Sequence, residues 1–313
     1  PGEVWLKLRH GWERHAVEEL SQTHLNMLAT AIVTFNGMAK APIMSVVLPG
    51  GERGQLVLPP AVINDTVSFS IRKHAQVTKT LRELCQEGAL SDYRDVSFNK
   101  PSKEEVEEAL DRHDSARLEP FEAELLRLKR EGLIEAFLEA AVLHRRNIVI
   151  AGKTGSGKTT FARSLIEKVP CHERLVTIED VHELFLPNHP NRVHMLYGSS
   201  QGRMSADECL ASCMRQSPDR IFLAELRGDE AWEYVNSLNT GHPGSITTTH
   251  ANNALQTFAR IASLIKKSPV GKALDYDLIR RVLDSTVDVV LYYHDFKLAE
   301  VFYDPIYARS RLG

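Results

Sequence analysis

The stretch Gly152-Lys153-Thr154-Gly155-Ser156-Gly157-Lys158-Thr159-Thr160 determines how the rest of the chain is interpreted. A short β-branched run at 147–151 precedes it, and residues 161–168 after it have the apolar spacing of a helix. Gly-x4-Gly-Lys-Thr in a strand–loop–helix setting is the phosphate-binding loop pattern. Its backbone N–H groups turn towards a polyphosphate, and the helix N-terminus adds partial positive charge. The pattern predicts that the chain binds a nucleoside triphosphate.

The loop residues have distinct predicted tasks. Lys158 is expected to reach the β- and γ-phosphates, and the Thr159 hydroxyl is expected to bind Mg²⁺. The predicted phosphate-binding set is Gly152, Thr154, Gly155, Ser156, Gly157, Lys158, Thr159 and Thr160.

Composition limits the class of protein. The 313 residues are 43% hydrophobic and 25% charged, which is typical of a globular chain with two domains. The formal net charge of -3 gives no support to a protein that wraps nucleic acid. No apolar run approaches bilayer length. The four cysteines lack a Cys-x-x-Cys pair and are predicted to be reduced thiols without zinc.

Hydrophobic patterning predicts a smaller α+β domain at 1–97, with a helix at 16–32 and strands at 4–8, 43–48, 55–58 and 66–72. Residues 98–120 are interpreted as an interdomain linker. That linker contains an exposed helix from residue 103, with Ser102 as its N-cap and Glu105 as the capping-box partner.

From residue 121 to 313 the pattern is α/β. Strand-like runs at 147–151, 175–178, 193–196, 221–224, 245–249 and 287–293 are separated mostly by helical segments. Such alternation predicts a mainly parallel sheet covered by helices, with ligands at the carboxyl ends of the strands.

Three of these strands end in polar groups. Glu179 ends the second strand and Glu183 follows it, and a carboxylate there can orient or deprotonate an attacking water. Glu225 ends the apolar strand that follows Asp219-Arg220. In nucleotide-hydrolysing sites, an acid at the end of such a strand holds Mg²⁺. His250 ends a third strand and is a candidate to sense the γ-phosphate. Taken singly, each of these patterns also fits a surface acid or a structural histidine.

Together these residues resemble the secretion (traffic) ATPases of bacterial type IV secretion and conjugation systems. Four segments carry the match: 152–160, 178–184, 217–227 and 240–251. The first domain adds three more, namely Leu48-Pro49-Gly50-Gly51-Glu52-Arg53, Pro59-Pro60 and Ser70-Ile71-Arg72-Lys73. The chain has no tetracysteine module after Glu225, and its acidic box reads Glu179-Asp180-Val181 rather than Glu-Asp-Pro. Both departures favour the type IV branch over the type II and pilus-assembly branches.

The resemblance implies a PAS-like N-terminal domain and a RecA-like P-loop C-terminal domain, with ATP between them and arginines that supplement the loop. Arg72 and Arg215 are the matching candidates. Glu179 and Glu183 would then form the acidic box, Glu225 the Walker B acid and Mg²⁺ contact, and His250 the histidine-box residue. Together with Lys158 these are the catalytic candidates, and the resemblance leaves open which glutamate is the general base.

The resemblance also implies a function. Members form homo-hexamers that hydrolyse Mg-ATP to power pilus biogenesis and the translocation of protein or conjugative DNA. They work with other secretion components at the cytoplasmic face of the inner membrane, so we expect peripheral membrane contact and no direct nucleic-acid binding. Two rival functions are a DNA helicase or translocase, which calls for a basic pore or base-stacking aromatics, and a nucleotide-gated scaffold with incidental turnover.

Overall fold

The computed structural model describes residues 1–8, 11–73, 78–198 and 204–311, which fall into two compact units. The first unit contains the described residues up to 73, and the second contains those from 78 onward. The strands are β1 (Glu3–Leu8), β2 (Gly11–Ala16), β3 (Ile43–Val47), β4 (Arg53–Val57), β5 (Ser68–Arg72), β6 (Arg94–Asp95), β7 (Ile148–Ala151), β8 (Leu175–Glu179), β9 (Arg192–Leu196), β10 (Arg220–Leu223), β11 (Ile246–Thr249), β12 (Val289–His294) and β13 (Lys297–Tyr303). The helices are α1 (Gln22–Phe35), α2 (Leu81–Gln86), α3 (Lys103–Leu110), α4 (Pro120–Arg130), α5 (Ile134–Leu143), α6 (Lys158–Ile166), α7 (Ala206–Cys213), α8 (Ala231–Asn239), α9 (Ala254–Lys267), α10 (Tyr276–Thr286) and α11 (Pro305–Ser310). None of the helices in these ranges has the length and apolarity to span a membrane.

In the first unit, β3, β4 and β5 form an antiparallel sheet with α1 on one face. Ala29 and Val33 of the helix join Met44, Val46 and Leu56 of the sheet in one apolar cluster. One face of the sheet is therefore packed on a helix. The predicted helix at 16–32 starts too early, since residues 11–16 form β2 against β1, and α1 begins only after its N-cap Ser21.

The second unit is built on two groups of mainly parallel strands, in which only β12 and β13 among the described strands pair antiparallel. One has the order β10-β8-β9, and the other has the order β11-β7-β12-β13-β6. Alternate residues of β7 enter different apolar clusters, with Ile148 and Ile150 in one and Val149 and Ala151 in the other. The strand is thus covered on both faces, which explains its uninterrupted apolar sequence.

Hydroxyl side chains join the two groups of strands. On β11, the Thr247 hydroxyl donates to the Leu223 carbonyl at 2.6 Å and the Thr249 hydroxyl donates to the Leu226 carbonyl at 2.9 Å. Thr249 also forms a parallel β-bridge with Leu226. These bonds align the carboxyl ends of β10 and β11, where the polar residues of the predicted site begin.

The division between the units differs from the predicted boundary at residue 97. Leu81, Leu84 and Leu90 are buried in the second unit's core, and β6 pairs with β13. The segment 98–120 also belongs to the second unit, because Val106 and Leu118 enter the same core. Its helix α3 does begin as predicted, with Ser102 and Glu105 forming a capping box.

Strand β13 has no counterpart among the predicted strands. It returns antiparallel to β12 through the two residues Asp295 and Phe296, whose φ angles are 47° and 61°. Two positive φ angles are typical of a type I′ hairpin turn, which is usually recognised from Asn-Gly or Asp-Gly. Because this turn contains no glycine, the sequence gives no hairpin signal there.

Candidate active site

The phosphate loop lies between β7 and α6, in the predicted strand–loop–helix setting. Gly152 has a φ of 156°, and a Cβ at that position would come within 2.1 Å of the Tyr293 carbonyl oxygen on β12. Only a residue without a side chain fits there. Gly157 is the N-cap of α6, so the free N–H groups of the first helical turn follow directly from the loop.

Lys158, the first residue of α6, is buried and points back over the loop. Its Nζ donates to the carbonyl oxygens of Gly152 at 2.9 Å and Lys153 at 2.8 Å. It also lies 3.4 Å from Nδ1 of His250. The ammonium group is therefore held at the loop by main-chain acceptors, where it can reach a bound phosphate.

His250 connects the loop to the end of β10. Its Nε2 lies 2.8 Å from Oε1 of Glu225, and its Nδ1 lies 3.1 Å from the Gly152 carbonyl oxygen. The aligned ends of β10 and β11 explain this contact between residues 25 positions apart. The structure therefore brings three predicted residues, Lys158, Glu225 and His250, into one continuous chain of contacts.

Two residues that the sequence did not assign to the site extend this chain. Arg227 lies 3.5 Å from Glu225 through its Nη2 and also forms an ion pair with Asp180. The paired carboxylates favour the charged guanidinium, and the pKa of Arg227 is raised although its burial acts in the opposite direction. Asp180 is the first residue after β8 and follows Glu179 directly, so its position at the end of an apolar strand is the signal that could have found it.

Glu179 is completely buried at the end of β8. One carboxylate oxygen accepts hydrogen bonds from the N–H groups of Glu183 at 2.7 Å and Leu184 at 2.8 Å. The other oxygen lies 2.8 Å from the Thr177 hydroxyl and 3.2 Å from Nδ1 of His182. Burial alone would raise the pKa of Glu179, but the hydrogen bonds outweigh it and lower this pKa to about 2. Glu179 is thus an ionised anchor for the turn that follows β8.

The other candidates lie around this centre or apart from it. Glu183 is half-buried in the turn that Glu179 anchors. Arg215 is exposed in a 3₁₀ turn and takes no part in the contacts described above. Arg72 ends β5 in the first unit and is exposed. Their roles stay predictions.

The loop residues fit a polyphosphate and its metal ion. The Ser156 hydroxyl oxygen is buried and has no hydrogen-bond partner among the described residues, as expected of a group that awaits a ligand. Thr159 and Thr160 are half-buried in the first turn of α6, and Thr154 and Gly155 are exposed on the loop. Beside the loop is a cavity of about 530 Å³ that Lys153, His250 and Arg260 help to line. The positive charges of Lys153 and Arg260 suit an anionic ligand.

Comparison with known proteins identifies the family of the chain. A family model described as Type II/IV secretion system protein matches residues 120–293, which include the phosphate loop, Glu179, Glu225 and His250. The chain belongs to the type II/IV secretion ATPase family. The family resemblance and the class of enzyme that the sequence predicts, an ATP hydrolase of this family, are confirmed.

Individual relatives match over almost the full chain. The type IV secretion system protein VirB11 of Brucella suis is 41% identical over 320 residues, covering 97% of this chain and 84% of the relative. PtlH of Bordetella pertussis is 38% identical, covering 93% and 82%. The crystal structure of the Brucella suis VirB11 ATPase in complex with sulphate matches with a TM-score of 0.59 and 40% identity, covering 100% of this chain and 89% of that one.

More distant structures share the fold. The pilus retraction motor PilT with bound ADP has a TM-score of 0.58 at 17% identity, covering 98% of this chain and 78% of that one. The predicted fold class is confirmed by these neighbours: a RecA-like P-loop domain with a mainly parallel sheet, accompanied by a smaller α+β domain.

Proposed function

We propose that this secretion ATPase is a homo-hexamer that hydrolyses Mg-ATP to drive a type IV secretion machine at the cytoplasmic face of the inner membrane. The observation that carries the proposal is the contact chain from Lys158 through His250 to Glu225. It connects the phosphate loop to the carboxyl ends of two strands, and small changes at a phosphate can pass along such a chain. The near-full-length similarity to VirB11 and PtlH supports the secretion machine as the setting.

In this proposal the chain's own residues divide the work. Lys158, the Ser156 hydroxyl and the free N–H groups of α6 bind and orient the phosphates. Thr159 would hold Mg²⁺, with Glu225 in contact with the ion only through water. When bound, Mg²⁺ neutralises negative charge on the phosphates. Arg72 and Arg215 are proposed to add positive charge to the nucleotide site.

We assign the attacking water to Glu225 rather than to Glu179. Glu225 is partly exposed and borders both His250 and Arg227, so a water can reach its carboxylate. Both oxygens of Glu179 already accept hydrogen bonds from the protein in a fully buried position. Glu179 is then a positioning residue for the acidic-box turn, together with Glu183.

Hydrolysis measured on size-fractionated protein tests this function. Lys158→Ala should abolish ATP hydrolysis in the hexameric fraction without dissociating it, because the phosphates lose their cation while the fold is kept. Lys168→Ala is the matched control, since this lysine lies just beyond α6 and forms a surface pair with Glu139. Near-normal turnover by Lys158→Ala would contradict the proposed nucleotide site. Activity confined to monomers would contradict the hexamer as the active form. Strong stimulation by DNA would favour a nucleic-acid translocase instead.

A further inference from the structure

A second cluster of polar side chains surrounds Glu179 on the strands β8 and β9. It consists of Glu179, His182 and His194, whose potential ligand atoms all lie within 4.8 Å of one another. His182 follows Glu179 by three residues, and His194 lies on β9 directly opposite Thr177 of β8. The strand pairing therefore brings together residues that are separated by up to 15 positions in the sequence.

We propose that Glu179, His182 and His194 form a binding site for a divalent transition-metal ion of the Zn²⁺ type. The Glu179 oxygen lies 3.2 Å from Nδ1 of His182 and 3.7 Å from Nδ1 of His194. Two ligand atoms at about 2.0–2.1 Å from a tetrahedral zinc ion are about 3.3 Å apart. The side chains are thus already spaced as zinc ligands, and only small rotations are needed to place an ion between them.

The protons in the cluster can be rearranged without changing its total charge. In the metal-free site, Nδ1–H of His182 donates to Glu179. The Thr177 hydroxyl has one proton, which it donates to Glu179, so it accepts from Nδ1–H of His194. When an ion binds at Nδ1, each neutral ring moves its proton to Nε2. The histidine side chains are 35% and 22% exposed, so water can accept those N–H groups.

The donor set selects the kind of ion. Two imidazole nitrogens and one carboxylate suit Zn²⁺, Co²⁺ or Ni²⁺, whereas Mg²⁺ prefers oxygen ligands and retains several waters. Three protein ligands leave a fourth position for water, which the partial exposure of both histidines permits. The hydroxyl of Thr177 would then orient the carboxylate from behind, as groups outside the ligand shell do in other metal sites. The site is separate from the predicted Mg²⁺ contacts at Thr159 and Glu225 and does not depend on ATP turnover.

A bound ion would reinforce the acidic-box turn. Glu179 already holds the turn through the N–H groups of Glu183 and Leu184, and the ion would add His182 of that turn and His194 of β9. Because the ion binds only the folded arrangement, it should raise the melting temperature of the protein. At an ion concentration of 100 times Kd, the expected rise is about 5–10 °C for a domain of this size.

Metal titration of the full chain, purified without a histidine tag and stripped of metal, tests the proposal. Zn²⁺ is titrated by calorimetry in excess Mg²⁺, and Co²⁺ is titrated by visible absorption. We expect one Zn²⁺ site per chain and a tetrahedral Co²⁺ spectrum, both lost in His182→Gln and in His194→Gln. His144→Gln is the matched control, because His144 forms an exposed pair with Glu124 at 3.0 Å and should leave both signals intact.

The proposal is overturned if wild-type protein binds no Zn²⁺ in excess Mg²⁺, or if both histidine variants bind as much as wild type. Circular dichroism verifies that the variants are folded. If either variant fails to fold, the wild-type Co²⁺ spectrum decides alone, since a spectrum that lacks tetrahedral bands contradicts the site. ATP hydrolysis by the metal-stripped wild type is measured separately with Mg²⁺ alone. Failure of the proposed function can then be distinguished from failure of the proposed Zn²⁺ site.

Discussion

The buried ion pair between Arg220 and Glu173 offers a quantitative test of how the site is supported. Arg220 begins β10, the strand that leads to Glu225, and its side chain is fully buried. Its Nε and Nη2 donate to the two carboxylate oxygens of Glu173 at 2.7 and 3.0 Å, and its Nη1 donates to the Val142 carbonyl at 2.6 Å. Burial alone would raise the pKa of Glu173, but the bonds from Arg220 and its charge outweigh this and lower it.

Arg220→Met should therefore destabilise the protein strongly. Removing one member of a buried pair costs about 3–5 kcal/mol, because the other charge is left without compensation. Arg145 still lies 3.3 Å from Glu173, so we expect the lower end, about 3 kcal/mol. For a unit of about 150–250 residues, this lowers the melting temperature by roughly 6–12 °C. Glu173→Leu should cost at least as much, since it leaves the Arg220 guanidinium buried.

The double variant separates this explanation from simple loss of packing. When both charges are removed, a net cost of about 1 kcal/mol should remain, because the Val142 carbonyl loses the Arg220 donor and keeps the Arg145 N–H. The double variant should then be more stable than either single variant. Thermal and denaturant unfolding of all four proteins measures the coupling. If Arg220→Met costs less than about 1 kcal/mol, or if the single costs simply add in the double variant, the reasoning is refuted.

Two further predictions concern nucleotide use. Gly152→Ala should abolish nucleotide binding, measured by fluorescent-ATP titration, because its Cβ would lie 2.1 Å from the Tyr293 carbonyl oxygen. Gly155 has a φ of 76° with open space around it, so Gly155→Ala should lower the binding free energy by only about 1 kcal/mol. Equal binding by the two variants would contradict this prediction. Arg72→Ala should lower kcat/KM for ATP without changing the melting temperature of either unit, and unchanged steady-state kinetics would exclude Arg72 from the nucleotide site.

The sequence predicts most where one local pattern carries the chemistry. The phosphate loop needs its glycines, Lys158 and the start of α6 within nine consecutive residues, so the whole device is visible in the sequence. The strands that end in Glu225 and His250 were also predictable, because short apolar runs before polar residues are local signals. The sequence predicts their contact only in general terms, from the rule that parallel strands present their carboxyl ends at one edge.

The missing parts depend on contacts between distant residues. Leu81 and Leu118 have no local sequence signal that they pack in the second unit. Composition alone therefore predicts a boundary at residue 97 and a linker at 98–120. The cluster around Glu179 needs the register of β8 with β9, which places His194 opposite Thr177. Without that register, Glu179 could not be distinguished from an acid that faces a substrate.

In the proposed mechanism Glu225, in contact with His250, acts on the water, while Glu179 positions the turn. Single-turnover hydrolysis of bound Mg-ATP by Glu225→Gln and by Glu179→Gln distinguishes these two roles. We predict that Glu225→Gln retains nucleotide but slows hydrolysis by about 10²–10⁴-fold at an unchanged melting temperature. Glu179→Gln should lower the melting temperature and slow hydrolysis less. Normal hydrolysis by Glu225→Gln, together with complete loss in a folded, nucleotide-bound Glu179→Gln, would contradict the account.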